Sequence, residues 1–333
     1  MNDTALVITS IACDTHPVLQ QYAAQSALHH IPFIMMGDTK SPTSFHLPGC
    51  DYYSIERQQK IGFALAEKLP TKHYARKNLG YLVAIKNGAN VIIETDDDNI
   101  PMEDFWEPRL VQQSAQIASG TDWVNIYKYF TDLPVWPRGF ALERLSTPQP
   151  SLSSVSDVYC PIQQGLADDN PDVDAIYRLT LPLPITFGRR GNVALGGKAV
   201  CPFNSQNTTW FKEAFALLYL PSYCSFRMTD IWRSFIAQRI AQTCGWSILF
   251  HSSTVRQVRN DHSLMSDFKD EIPGYLNNLK MVQTLQDLDL QDGAEHISVN
   301  LLTCYQSLVR MEWIGRPELE LLDAWLKDLE QVI

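Results

Sequence analysis

An α/β fold, with a Rossmann-like mixed sheet flanked by helices, is predicted by three features of the sequence. They are a strand-helix-strand opening, a β-branched run apolar on both faces, and a carboxylate cluster at the end of that run. The opening consists of ALVITSIA (5–12) and IPFIMMGD (31–38), short apolar runs separated by a helix-suited stretch from Pro17 to His30. Next, HYARKNLGYLVAIKNG (73–88) sets Ala75, Leu79, Leu82 and Val83 on one helical stripe, and its closing Asn-Gly is a good helix stop. Val91 to Thr95 then reads as a central parallel strand, and Asp96, Asp97 and Asp98 stand at its carboxyl end, where open α/β sheets bind ligands.

Further along, an acidic helix start is expected at Pro101 to Glu107 and a strand in WVNIYKYF (123–130). A proline-rich loop follows to about Pro150, then two strand-like runs within 166–187 and Gly- and Asn-rich loops with short strands over 188–211. A helix is expected over 229–245 and a strand in WSILFHS (246–252). From Pro273 the chain reads as helical, with Leu301, Leu302, Tyr305, Leu308 and Val309 as an apolar stripe. The expected division is one α/β domain over 1–272 and a helical C-terminal extension over 273–333, the latter a surface for a homo-oligomer.

Composition narrows the class. With 45% hydrophobic and 19% charged residues the chain is globular, and a net charge of -10 argues against a nucleic-acid backbone as partner. No apolar run reaches the roughly 18 to 20 residues of a membrane span, and the N-terminus lacks the basic region and apolar length of a signal peptide. A cytoplasmic protein is expected. Seven cysteines without a CxxC pair give no disulfide framework and are expected to be mostly small buried hydrophobes. Neither a Walker A loop nor GxGxxG is present, which counts against kinases and dinucleotide enzymes.

Three adjacent carboxylates raise one another's pKa unless they are solvated or neutralised. A solvated turn is one solution. The other is a hard divalent cation, Mg²⁺ or Mn²⁺, held by one or two carboxylates with substrate phosphates completing its shell. Position favours the cation: an acidic cluster at a strand end in an alternating α/β half is similar to the DxD signature of GT-A glycosyltransferases. The ordered segments YARKNLGYLVAIKNGANVIIETDDDN, VWPRGFALE, PDVDAIYRL, FNSQNTTWF and TDIWRSFIAQR resemble the STELLO family of glycosyltransferases. TDIWRS is also similar in placement to a stretch of the plant UDP-arabinopyranose mutases, which share the GT-A fold. The resemblance covers about residues 5 to 260, and those past about 270 carry none of it.

This resemblance implies a GT-A fold, a nucleotide-diphosphate sugar donor, UDP-linked, and a glycan or other hydroxyl acceptor. It implies Asp98 and Asp96 as the metal pair, with Asp96 and Asp97 also towards the donor. Arg76, Lys77 and Asn78, otherwise a solvated helix face, become donor contacts. Asp230 opens a helix, where a carboxylate is also good helix chemistry; the resemblance makes it the general base of an inverting transfer. His251 or His262 would add an imidazole ligand suited to Mn²⁺, and His262 is favoured because Arg256 and Arg259 make its loop a flap over a diphosphate. Asn204 and Asn207 offer hydrogen bonds to a sugar, Trp210 a stacking face and Trp232 a pocket wall. Asp168, Asp169, Asp172 and Asp174 read as a solvated turn. Two alternatives remain: a nucleotide-sugar mutase, which needs no acceptor, and a non-catalytic nucleotide-sugar-binding scaffold.

Overall fold

The computed structural model describes residues 3–260 and 263–333. Its strands are β1 (Thr4–Thr9), β2 (Phe33–Met36), β3 (Cys50–Tyr53), β4 (Val91–Thr95), β5 (Asn99–Pro101), β6 (Gln112–Gly120), β7 (Ser156–Tyr159), β8 (Ile162–Asp168), β9 (Val193–Gly197), β10 (Asn207–Phe211) and β11 (Ile248–Gln257). Its helices are α1 (Pro17–His29), α2 (Ile55–Gln59), α3 (Ala64–Lys68), α4 (Lys77–Lys86), α5 (Ala175–Thr180), α6 (Thr229–Thr243), α7 (Leu264–Gln286), α8 (Ile297–Arg310) and α9 (Glu318–Glu330). The strands form one mixed sheet in the order β3-β2-β1-β4-β10-β8-β11-β9-β6-β7, with β5 paired to β11. The first four in that order are parallel, and β10 runs antiparallel between β4 and β8.

The pleat of β1 divides the interior. Leu6 and Ile8 pack with Val18, Leu19 and Tyr22 of α1, whereas Ala5 and Val7 join a larger core containing α4, α6, α8 and α9. Helix α4 lies close against β1: a Cβ on Gly80 would stand 2.6 Å from Val7 Cγ1, so glycine lets the helix seat itself there. The α/β class and its mixed, helix-flanked sheet are as the sequence predicts.

Several boundaries differ. The segment read as a strand at 123–130 is instead a 3₁₀ turn at Ile126–Tyr129, because its apolar side chains are buried on all sides rather than in alternation. The expected helix start at 101–107 is a 3₁₀ turn, Glu103–Trp106, preceded by β5. Within 166–187 one of the two strand-like runs is instead α5, capped by the Asp174 side chain. The division at 272/273 falls inside α7, and the C-terminal helices are no separate extension: Leu301, Tyr305, Leu322 and Trp325 lie in the sheet's own core. Asp328 of α9 accepts the Ala64 and Leu65 amides at 2.9 and 2.7 Å, capping α3. Among the described residues no helix is long and apolar enough to cross a membrane.

Candidate active site

At the carboxyl end of β4 the chain turns through Asp96, Asp97 and Asp98 into β5, and this turn forms one wall of a cavity of about 260 Å³. Each carboxylate has a different environment. Asp96 Oδ1 pairs at 2.8 Å with the Nζ of the wholly buried Lys77, which also donates to the carbonyls of Thr95 and Ser205. Burial raises the Asp96 carboxyl above its usual range while Lys77 pulls it down. Asp97 accepts the Ser10 hydroxyl from the end of β1. Asp98 Oδ2 accepts from Gln257 at 3.0 Å, but Asp98 Oδ1 is buried with no hydrogen-bond partner. Burial, then Asp96 and Asp97, push the Asp98 carboxyl up to about 7.

The opposite wall is built on the start of α6. Asp230, buried in the first turn, receives the Arg138 guanidinium on both oxygens at 3.1 and 3.0 Å, the Tyr74 hydroxyl at 3.2 Å and the Ser205 amide at 3.2 Å. Arg138 Nε also donates to Asp172 at 2.7 Å, and Asn204 donates to the other Asp172 oxygen at 3.0 Å. Burial alone would raise the Asp172 carboxyl, yet the Arg138 guanidinium holds it down to about 2. Arg138 reaches this place because Gly139 adopts φ +87°, in the left-handed region, and a Cβ there would collide with Ile231 of α6. Behind the wall, buried Glu94 and Arg233 pair at 2.7 Å, with the Trp210 indole donating to Glu94 at 2.7 Å.

The cavity thus brings together Asp96, Asp97, Asp98, Asp230 and Arg259, with Lys77 behind Asp96 and Asn204 behind Asp172. It does not bring in the others. Arg76 is buried and turned away, donating to Gln58 at 2.6 Å and to the Leu69 carbonyl at 3.0 Å. Asn78 exchanges two hydrogen bonds of 2.9 Å with the Leu220 backbone. Trp210 is no stacking face, since β10 is a central strand buried on both sides, and Trp232 lies in the core with its indole on Asn278. Asn207 donates inward to Leu166 and Thr254. Arg256 is exposed, 3.9 Å from Asp169, and Arg259 is held by Asp267 at 2.6 Å. His251 lines a different cavity with Arg109 and Asn192, its imidazole lowered to about 4 by burial; His262 lies outside the described residues. Asp168, Asp172 and Asp174 are not one solvated turn but serve three separate partners, Ser253, Arg138 and the Tyr177 amide of α5.

The residues of the turn fit a hard divalent cation in part. Asp98 offers an unmet buried oxygen and carries the charge conflict that a cation relieves, whereas Asp96 and Asp97 are already engaged. Among the described residues no three His, Cys, Asp or Glu side chains are grouped to enclose an ion, so ligand phosphates would have to complete its shell. A larger cavity of about 780 Å³, between α1 and residues 101–109, holds no comparable acid cluster with an unmet oxygen. Chemistry rather than size marks the smaller one.

A mixed sheet of this order, with an acidic turn at the end of its fourth strand, is consistent with a GT-A-like fold. The chain's likeness to the STELLO family is shown by comparison with known proteins. The sequence model of the STELLO glycosyltransferases matches residues 227–333. Two proteins of Arabidopsis thaliana align along most of the chain. Probable glycosyltransferase STELLO2 is 27% identical over 321 residues, 90% of this chain and 41% of its own length. Probable glycosyltransferase STELLO1 is 26% identical over 319 residues, 89% of this chain and 41% of its own length. The chain therefore spans about two-fifths of the length of these relatives. A crystal structure of a mycobacterial protein matches with a TM-score of 0.41 and 9% identity, over 83% of this chain and 74% of that one. The family match extends through α7, α8 and α9, which corrects the expectation that the resemblance stops near residue 270.

Proposed function

We propose that the chain is a divalent-cation-dependent glycosyltransferase that moves a sugar from a UDP-linked donor to an acceptor hydroxyl with inversion. The observation that carries this reading is that Asp98, with one buried oxygen unmet, and Asp230 line the same cleft. Asp98, with the free side of Asp96, would hold Mn²⁺ or Mg²⁺, which when bound supplies charge neutralisation to a departing diphosphate. Lys77 fixes Asp96, and Ser10 fixes Asp97, so the turn is set before the ligand arrives. Arg138, Tyr74 and Ser205 hold the Asp230 carboxylate in a fixed orientation. In the transfer the acceptor oxygen bonds to the anomeric carbon and its proton passes to Asp230. The bond from that carbon to the diphosphate oxygen breaks, and the electron pair leaves with the diphosphate.

One observation favours a second reading. Both Asp230 oxygens are fully engaged, and a nucleotide-sugar mutase needs no acceptor base. Incubating the protein with UDP-sugars and Mn²⁺, with and without hydroxyl acceptors, separates the two by NMR of the products. Inverted glycoside with EDTA-sensitive turnover is expected. An isomeric UDP-sugar formed without acceptor would point to the mutase, and turnover indifferent to EDTA would remove the cation from the mechanism.

A further inference from the structure

We propose that Phe226 is the platform on which the acceptor lies, and that the acceptor is a neutral pyranose rather than an acyclic alcohol or an anion. The proposal rests on the reading of Asp230 as the base. Among the described residues that line the cleft, Phe226 is the one large apolar side chain left exposed, at 48%. It is not a loose ring. Tyr74 meets it edge-on at 4.9 Å and His73 at 5.2 Å, and these two stack on each other at 5.4 Å with planes 10° apart. The Tyr74 hydroxyl lies 3.4 Å from the Phe226 carbonyl and 3.2 Å from Asp230 Oδ1, so one phenol sets the platform against the carboxylate.

A pyranose matches such a surface: its ring C–H face is apolar, and its hydroxyl rim is polar like the carboxylates and amides around the phenylalanine. An acyclic polyol has no such face. Charge supplies the rest of the argument. The cleft's arginines are each turned to carboxylates of the protein: Arg138 to Asp172 and Asp230, Arg227 to Glu271, and Arg259 to Asp267. An anionic acceptor would therefore meet Asp97, Asp98 and Asp230 with no cation assigned to it, an arrangement that disfavours it by like-charge repulsion.

The test reads binding without turnover: saturation-transfer NMR on the full chain, with and without UDP and Mg²⁺. The probes are methyl glucoside, galactoside, mannoside and xyloside, with glycerol and methyl glucuronide as the acyclic and anionic controls. At least one neutral pyranoside is expected to bind through its ring C–H protons, and both controls to bind more weakly. Phe226→Ala should weaken that binding roughly tenfold, the loss of one stacked ring, while Phe226→Trp retains it. A UDP-linked rise in melting temperature shows that each variant is folded. Wild-type binding by Phe226→Ala, or no pyranoside bound better than glycerol, overturns the proposal. Asp230→Asn should keep the pyranoside and lose transfer; transfer surviving there would instead overturn the base, leaving the platform to stand or fall on the Phe226 variants.

Discussion

The two ends of the cleft treat carboxylates in opposite ways. At the end of β4, Asp98 keeps one buried oxygen without a partner, while at the start of α6 Asp230 has both oxygens filled by Arg138, Tyr74 and Ser205. The first is a carboxylate with no counter-charge of its own. The second has its counter-charge built in. Desolvated anions without a partner are costly, whereas a paired anion is fixed in place and direction. On the proposed reading, ligand charge belongs to the Asp98 end and directed proton chemistry to the Asp230 end.

The sharpest way to break this division is Asp230→Asn. Asparagine keeps an acceptor for the Ser205 amide or Arg138 but cannot take a proton, so transfer should fall by about 10²- to 10⁴-fold. A transfer assay beside a thermal melt on one preparation checks it, and near-wild-type transfer would make Asp230 a purely structural anion. Next in size is Arg138→Met, which leaves Asp172 and Asp230 buried together without their cation. Removing one partner of a buried ion pair costs about 3–5 kcal/mol, and urea unfolding should show a loss of that order. A loss under about 1 kcal/mol would mean that the guanidinium is a minor tenant of this wall.

The Asp98 end predicts a linkage instead. With a cation held there, UDP should stabilise the fold only while the cation is present, by about 2.7 kcal/mol at one hundred times its Kd. EDTA should abolish the UDP-dependent rise in melting temperature. Equal rises with and without EDTA would detach the diphosphate from the triple aspartate.

These contrasts are only half legible in the sequence. The strand and its acidic turn announce themselves locally, by a β-branched run and adjacent like charges, and the helix carrying Asp230 by a stretch free of Gly and Pro. Arg138 does not, because it sits in a proline-rich loop without periodicity, and its partners lie 34 and 92 residues away. Trp210 and Trp232 read as sugar-binding faces by residue type, yet type says nothing about burial: five-residue β10 is covered on both faces and Trp232 points into the helix layer. Phe226 escapes notice for the reverse reason, standing beside residues that are far better helix signals. Arg76 illustrates the same point for charge, its guanidinium being spent on backbone carbonyls.

The smallest expected effect compares the same two ends through pH. In the absence of cation, burial and its two neighbours lift the Asp98 carboxyl to about 7, against about 4 for an unfolded aspartate. Below pH 4 both states hold the proton. Between pH 4 and 7 the unfolded chain has released it while the folded protein still binds it, so the folded state loses stability as pH rises, and above 7 the loss levels off. An asparagine side chain has no proton to release, so Asp98→Asn should match wild type at pH 4 and be the more stable by about 1 kcal/mol at pH 8, after allowance for solvent screening. The measurement is the difference between the two melting profiles in EDTA, which cancels titrations they share, such as that of Asp174 near pH 6. Adding Mn²⁺ to the wild type should shrink the gap, because the cation replaces the proton as the partner of the unmet oxygen. Asp230→Asn should instead be less stable than wild type, since the charge it removes is one that Arg138 holds. Parallel profiles for wild type and Asp98→Asn would mean that the acidic turn is relaxed by solvent alone, and the asymmetry between the two ends would then rest on Arg138 only.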